Sequence, residues 1–262
     1  LYDALARATQ SKIKDRRFMQ LVWYLFTLVF GPVLFWQGKR LRKLAVRLPE
    51  AAGDRAGKIV AANTDKPLPE LKVLICGDSA AAGAGIASQQ QALAGHLTRA
   101  LAVANSVEWQ LVAQSGLCCK GLVKLLQHLP EQHFDQVYVS IGVNNVTALN
   151  GNRQYREQYR ELLTLLSTRF KAPQIVISAI PPMQQFTALP CPLNQLHGLK
   201  ARLLNSVLAK ELAYWPNAVL VDAKLSLSEE LLAADGFHPS AKGAALWAQL
   251  LLKSAATDCK QT

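Results

Sequence analysis

The stretch Lys72-Val73-Leu74-Ile75-Cys76-Gly77-Asp78-Ser79 decides the fold. Its first five residues (KVLIC) form a short, mostly apolar run ended by glycine, the pattern of a strand buried on both faces. Similar runs recur downstream at Glu108–Ala113, Gln136–Ile141 (QVYVSI), Gln174–Ala179 (QIVISA) and Val219–Asp222. Between them the apolar spacing changes to three and four residues, which predicts helices. These are expected over Gln90–Val103, Gly121–Leu129, Arg153–Phe170 and Leu196–Ala213, with a last one over Lys242–Lys253. Leu93, Leu97, Ala100 and Leu101 mark one apolar face, and Tyr155, Tyr159, Leu162, Leu163 and Leu166 another. Strands alternating with helices imply a mostly parallel sheet covered on both faces. In such a sheet the working residues sit on loops at the carboxyl ends of the strands.

Those loops carry a specific set of residues. Gly77-Asp78-Ser79 puts a serine just past the first strand, where its hydroxyl either projects above the sheet edge or caps the next helix. Gln114-Ser115-Gly116 follows the second strand, and a glycine lets a backbone N–H approach a ligand closely. Gly142-Val143-Asn144-Asn145 follows the third. An asparagine amide is a neutral donor for a developing oxyanion, or a stabiliser of its own turn. The last loop reads Asp235-Gly236-Phe237-His238-Pro239. A carboxylate three residues before an imidazole can fix its tautomer and leave the other ring nitrogen free to accept a proton. The plain alternative is a surface turn before a helix starting at Pro239. Asp222, ending the fifth strand, is a rival for the acid. His96, His128, His133 and His197 fall in helices or at helix ends and read as surface or packing residues.

Taken in order, Gly77-Asp78-Ser79, Gly116, Gly142-Val143-Asn144 and Asp235-Gly236-Phe237-His238 resemble the four blocks of the SGNH/GDSL hydrolases, over about Leu71 to Leu252. The resemblance implies an α/β three-layer sandwich with a flavodoxin-like, five-stranded parallel sheet of order 2-1-3-4-5. It implies hydrolysis of carboxylic esters through an acyl-enzyme, with no cofactor and no metal. Ser79 would be the nucleophile, His238 the general base and then acid, and Asp235 the orienting carboxylate. The Ser79 and Gly116 backbone N–H groups and the Asn144 side chain would form the oxyanion hole. One position departs: the family often has Asp after the third-block Asn, and here Asn145 removes that charge. The G-x-S-x-G elbow of the α/β-hydrolases is absent. The loop Ile180–Leu193, with Met183, Phe186 and Leu189, is expected either to wall an acyl pocket or to pack as a rigid connection. An acyltransferase or carbohydrate deacetylase with the same triad, or a non-catalytic membrane adaptor with the same fold, are the alternatives.

The net charge of +11 over 262 residues raises nucleic acid as a partner, but its distribution argues otherwise. Residues 1–70 hold 13 Lys and Arg against 6 Asp and Glu, whereas the other 192 hold 16 against 12. The surplus therefore surrounds Phe18–Gly38, a segment with no charged residue and 15 apolar or aromatic residues in 21. As a helix it would be about 30 Å long, the thickness of a bilayer core. Lys12, Lys14, Arg16 and Arg17 precede it, and Lys39, Arg40, Arg42, Lys43 and Arg47 follow. Basic residues on both sides suit anionic headgroups, so membrane lipids are the expected partner of residues 12–47. Equal flanks give no orientation, and Gly31-Pro32 is a candidate bend. A kinked insertion with both ends on one side accounts for the symmetry. No small-residue cleavage site follows Trp36, so a secretory signal fits poorly, and a start at Leu1 leaves room for residues upstream.

Three regions follow: a membrane-associated segment (1–47), a linker rich in Pro and Gly (48–70) and the hydrolase domain (71–262). Five cysteines, two of them adjacent at Cys118-Cys119, point away from a disulfide framework and favour the cytoplasmic face. Gly83-Ala84-Gly85-Ile86-Ala87-Ser88 falls short of the dinucleotide fingerprint, being late after its strand and ending in serine. There is no phosphate loop, zinc spacing or nucleic-acid module.

Overall fold

The computed structural model describes residues 2–44, 47–60, 68–222 and 228–258. It opens with helix α1 (Tyr2–Leu44) and edge strand β1 (Ala56–Ile59). Next come β2 (Glu70–Gly77), α2 (Ser79–Ala82), α3 (Leu93–Leu101), β3 (Ser106–Ala113) and α4 (Cys119–Gln127). Then follow β4 (Gln136–Ser140), α5 (Val143–Thr147), α6 (Asn152–Thr168), β5 (Gln174–Ser178), α7 (Leu193–Leu212), β6 (Ala218–Val221) and α8 (Ala241–Asp258). The sheet order is β1-β3-β2-β4-β5-β6. Strands β2 to β6 pair in parallel, and β2 lies between β3 and β4.

Alternate residues of each strand feed opposite cores, as a period of two requires. Leu74 and Cys76 of β2, with Val137, Val139, Ile175 and Ile177, face α4, α6 and α7. Val73 and Ile75, with Tyr138 and Val176, face α3 and α8. Leu122, Leu126, Tyr159, Leu162 and Leu204 complete the first core, and Leu97, Trp247 and Leu251 the second. Each fully buried aliphatic side chain contributes about 1.5–3 kcal/mol of transfer free energy. This two-sided burial fixes β2 and hence the loop that leaves it.

One expectation is corrected. The sheet has six strands rather than five, because Ala56–Ile59 lies antiparallel to β3, pairing Ala56 with Gln110 and Ile59 with Val107. Those residues belong to the stretch read as a linker; an exposed four-residue edge strand (Ala-Gly-Lys-Ile) carries too little pattern to be recognised. Ala51 and Ala52 are also engaged: Ala51 is buried, and Ala52 bridges Ser88. Helix α1 runs on through Gly31-Pro32, with Pro32 inside it. It rests on the start of α7, where Leu34 packs with Leu193 and Leu196, flanked by Trp23, Phe26 and Leu41.

The glycine that ends β2 is set by close approach. A Cβ on Gly77 would lie 2.1 Å from the Ser140 carbonyl oxygen and 2.9 Å from Ala81 Cβ. Gly77→Ala is therefore expected to destabilise the protein by about 1–3 kcal/mol through overpacking, read as a lowered midpoint in urea with unchanged slope. A wild-type midpoint would contradict the close approach.

Candidate active site

Chain geometry delivers the serine first. Asp78 caps α2, its Oδ1 accepting the Ala80 N–H at 3.1 Å, and its own N–H donates to Ser140 O at 3.0 Å. Ser79 is thus the first helical residue after the central strand. Asp78 is only 2% exposed, and burial pushes its carboxyl up to about 7 despite the backbone hydrogen bonds that favour the charged form.

The histidine arrives from the far end of the sequence. Asp235 Oδ1 accepts the N–H groups of Phe237 and His238, both at 3.0 Å, closing a tight turn. Its Oδ2 lies 2.6 Å from His238 Nδ1, and His238 Nε2 lies 2.9 Å from Ser79 Oγ. With Nδ1–H donated to Asp235, Nε2 is left to accept the serine proton. Burial alone would raise the Asp235 carboxyl, but the hydrogen bonds from the His238 ring and the two N–H groups outweigh it and hold it below the ordinary carboxylate range. Asp222, the rival acid, is exposed at the end of β6.

Gly236 (φ +65°) makes the turn close-fitting, since a Cβ there would meet Thr187 Oγ1 at 2.2 Å. Ala188 N–H donates to Gly236 O at 3.2 Å, and the Phe186 and Phe237 rings lie 4.9 Å apart. The loop after β5 therefore braces the histidine turn from outside. An apolar cavity of about 90 Å³ opens beside Ser79 and His238. Ile141, Ile180, Phe186, Leu231 and Trp247 are among its walls. Of the three residues expected to wall an acyl pocket, only Phe186 does so. Met183 and Leu189 are buried in the core under α7, where an apolar loop residue also has a place to go.

Gly116 (φ +83°) lies on the loop after β3 and Asn144 in the first turn of α5 after β4, and β3 and β4 are the neighbours of β2, so both flank Ser79 at one sheet edge. Asn144 Nδ2 donates to Leu117 O at 2.9 Å, tying those two loops together. Asn145 is fully buried beneath them. Its Oδ1 accepts from Cys119 N–H at 3.1 Å and lies 3.2 Å from Cys119 Sγ. Its Nδ2 donates to Asn150 Oδ1 and Gln158 Oε1, both at 3.1 Å. The neutral residue uses both ends of its amide here.

Sequence reading missed Glu50 and Arg55. Glu50 Oε1 accepts the Ser115 N–H at 2.7 Å, Arg55 pairs with Glu50, and Arg55 Nη1 donates to Ala113 O at 2.7 Å. Together they hold the strand end and loop that carry Gly116. Nothing in their local sequence signals this, because the partners lie about sixty residues downstream. Among the described residues no cluster of His, Cys, Asp or Glu is suited to a metal ion.

A profile of the GDSL-like Lipase/Acylhydrolase family matches residues 75–246, from the end of β2 into α8. The chain belongs to this family. This GDSL-family chain is 30% identical over 204 residues to the GDSL-like esterase Rv1075c of Mycobacterium tuberculosis (strain ATCC 25618 / H37Rv), across 72% of its own length. It spans 64% of that relative. Among solved structures, a member of the lipolytic protein G-D-S-L family from Veillonella parvula DSM 2008 matches with TM-score 0.56 and 15% identity. That match covers 70% of the GDSL-family chain and 97% of the other. Axe2, an acetylxylan esterase from Geobacillus stearothermophilus, matches with TM-score 0.51 and 18% identity over 71% and 94% of the two chains. The two structures share its fold.

The raised Asp78 carboxyl has a sign that can be tested. Its pKa is higher folded than unfolded, so its contribution is fully present below about pH 4 and is lost as pH rises through 7. Asp78→Asn keeps the cap without the charge. Its stability relative to wild type should therefore be more favourable at pH 8 than at pH 5, by a few kcal/mol at most. Thermal melts at the two pH values check this; an equal difference at both would place the carboxyl at its ordinary value.

Proposed function

We propose that the protein is a serine esterase that cleaves carboxylic esters through an acyl-enzyme. The observation that carries this reading is the unbroken line from Asp235 Oδ2 through His238 to Ser79 Oγ, facing an apolar cavity. His238 Nε2 takes the hydroxyl proton as Ser79 Oγ attacks the ester carbonyl carbon. The Ser79 and Gly116 N–H groups and Asn144 Nδ2 receive the oxyanion. The Asn144 amide has two hydrogens, and the bond to Leu117 O uses one. The alcohol leaves with the proton from His238. Water then attacks the acyl-enzyme by the same route, releasing the acid and restoring the serine. A base of this type is worth about 10²–10⁴-fold in rate, and one oxyanion donor about 10²–10³-fold.

The substrates are acyl esters, lipid-derived or acylated, drawn from a membrane to which α1 attaches the enzyme. This part of the reading is supported by the composition of Phe18–Lys43, which is long and apolar enough to cross a membrane, and of which only 6% of the most apolar window is buried. Most of that window is exposed, and Leu34 and Gln37 are buried against the domain.

Two measurements follow. Ser79→Ala should abolish labelling by a fluorophosphonate probe and lower hydrolysis of a soluble butyryl ester by at least about 10⁴-fold, with an unchanged melting curve. Retained labelling or turnover would exclude Ser79 as nucleophile, and no labelling of folded wild type would favour an adaptor. The cavity holds about half a dozen water-sized groups by the usual 10–15 Å³ each. Each methylene it buries is worth about 0.8 kcal/mol, or roughly fourfold in kcat/KM. Butyryl and hexanoyl esters should therefore outpace acetyl and palmitoyl esters; a palmitoyl optimum would show that the chain lies outside the cavity.

A further inference from the structure

Helix α1 presents two opposite stripes. Trp23, Phe26, Leu34, Gln37 and Leu41 fall on one side at 100° per residue, and this side meets α7. Phe18, Leu21, Leu25, Leu28, Phe35 and Trp36 fall on the other and are exposed, Leu28 at 79% and Phe35 at 71%. From Phe18 to Trp36 the outer stripe extends about 27 Å. Exposed basic residues Lys39, Arg40, Arg42 and Lys43 stand at its carboxyl end, with the Arg40 guanidinium 5.3 Å from the Trp36 ring. Lys12, Lys14, Arg16 and Arg17 precede its amino end in sequence.

The inner stripe is fixed to the domain by polar groups. Gln37 Nε2 donates to Cys191 O at 2.8 Å, and Gln37 Oε1 accepts the Leu193 N–H at 3.3 Å. Near its amino end, Lys200 Nζ lies 5.0 Å from the Trp23 ring centroid and donates to Asn152 Oδ1 at 3.2 Å. A helix standing upright in a bilayer has lipid all round it. Held against α7 from Trp23 to Leu41, an upright α1 would carry Lys200, Asn152 and the loop before α7 into hydrocarbon. A charged lysine is costly in hydrocarbon, and each backbone group left without a partner adds to that cost.

We propose that α1 lies flat in the membrane interface. Its outer stripe dips into the headgroup and acyl boundary of an anionic bilayer, and its inner stripe carries the hydrolase domain above. Apolar area and basic residues act together in such a seat, and its depth is about 5–10 Å. The chemistry fits anionic phospholipid: a continuous apolar stripe, a tryptophan, and cations at both ends. The geometry also sets the route of the substrate. Ile180, Pro181 and Phe186 line the catalytic cavity and belong to the loop that runs into Cys191 and Leu193, where Gln37 holds it. The wall of the acyl site is thereby kept beside the membrane-facing helix. This inference deepens the membrane esterase reading above and takes its substrate from it.

The test uses the full chain and sealed vesicles of phosphatidylglycerol and phosphatidylcholine (3:7), with pure phosphatidylcholine as control. Flotation is expected with the anionic vesicles, reduced at least tenfold in pure phosphatidylcholine. Trypsin added outside should cut at both basic clusters, residues 12–17 and 39–47, without detergent. Leu28→Glu/Phe35→Glu should lose flotation while hydrolysing a soluble butyryl ester within twofold of wild type and melting normally. Protection of one cluster until detergent is added would overturn the flat seat and show a crossing. Flotation of the double variant like wild type would remove the outer stripe from the contact. Absence of flotation, with a wild-type dimer that the double variant loses, would assign the stripe to a second copy of the chain. Failure of the esterase reading would appear separately, as turnover surviving Ser79→Ala with flotation unaffected.

Discussion

Strand β2 is paired in parallel on both edges and buried on both faces, and the rest of the molecule is arranged around that constraint. Parallel neighbours place the carboxyl ends of β3, β2 and β4 side by side. The three loops that leave them must then share one edge of the sheet, whatever their separation in sequence. Gly77 is where the constraint is tightest, with the Ser140 carbonyl in the space a side chain would need. Ser79 is held two residues beyond it, by a helix cap and by sheet packing rather than by a flexible loop.

The site is polar groups in an apolar frame, and the two that fix its loops, Asp235 and Asn145, are matched. Asp235 receives two N–H groups and the imidazole, and Asn145 receives from one loop and donates to the next. Unpaired, each such group would cost about 1–3 kcal/mol in a buried setting. Paired, they set the relative position of three loops and of the histidine turn. The Glu50 and Arg55 pair extends the same logic outward, fixing the glycine loop from a segment that precedes the central strand. The buried thiols take no part: burial pushes Cys76 up to about 12 and Cys119 well above the ordinary thiol value, so both stay protonated.

Helix α1 joins its exposed apolar stripe to the loop that walls the cavity through Gln37 and the packing of Leu34 on Leu193 and Leu196. The contact is small, but it lies where the loop after β5 turns into α7. The position of α1 and the shape of the cavity beside Ser79 are thereby parts of one structure.

Periodicity and loop position in the sequence determined the parallel sheet and its two helical layers, and put Ser79 and His238 on loops that follow strands, because each depends on a local pattern that burial imposes. The Gly-Asp-Ser and Asp-Gly-Phe-His turns are legible for the same reason: their backbone geometry is written within four residues. Only the tertiary structure decided that Ala56–Ile59 joins the sheet, that Glu50 and Arg55 brace the glycine loop, and that Met183 and Leu189 enter the core while Phe186 faces the site. It alone decided between Asp235 and Asp222, and showed which stripe of α1 is covered. The edge strand, the Glu50 and Arg55 brace and the covered stripe of α1 each depend on a partner about fifty or more residues away, and a contact of that range is fixed by the packing of the whole chain, which no local pattern records.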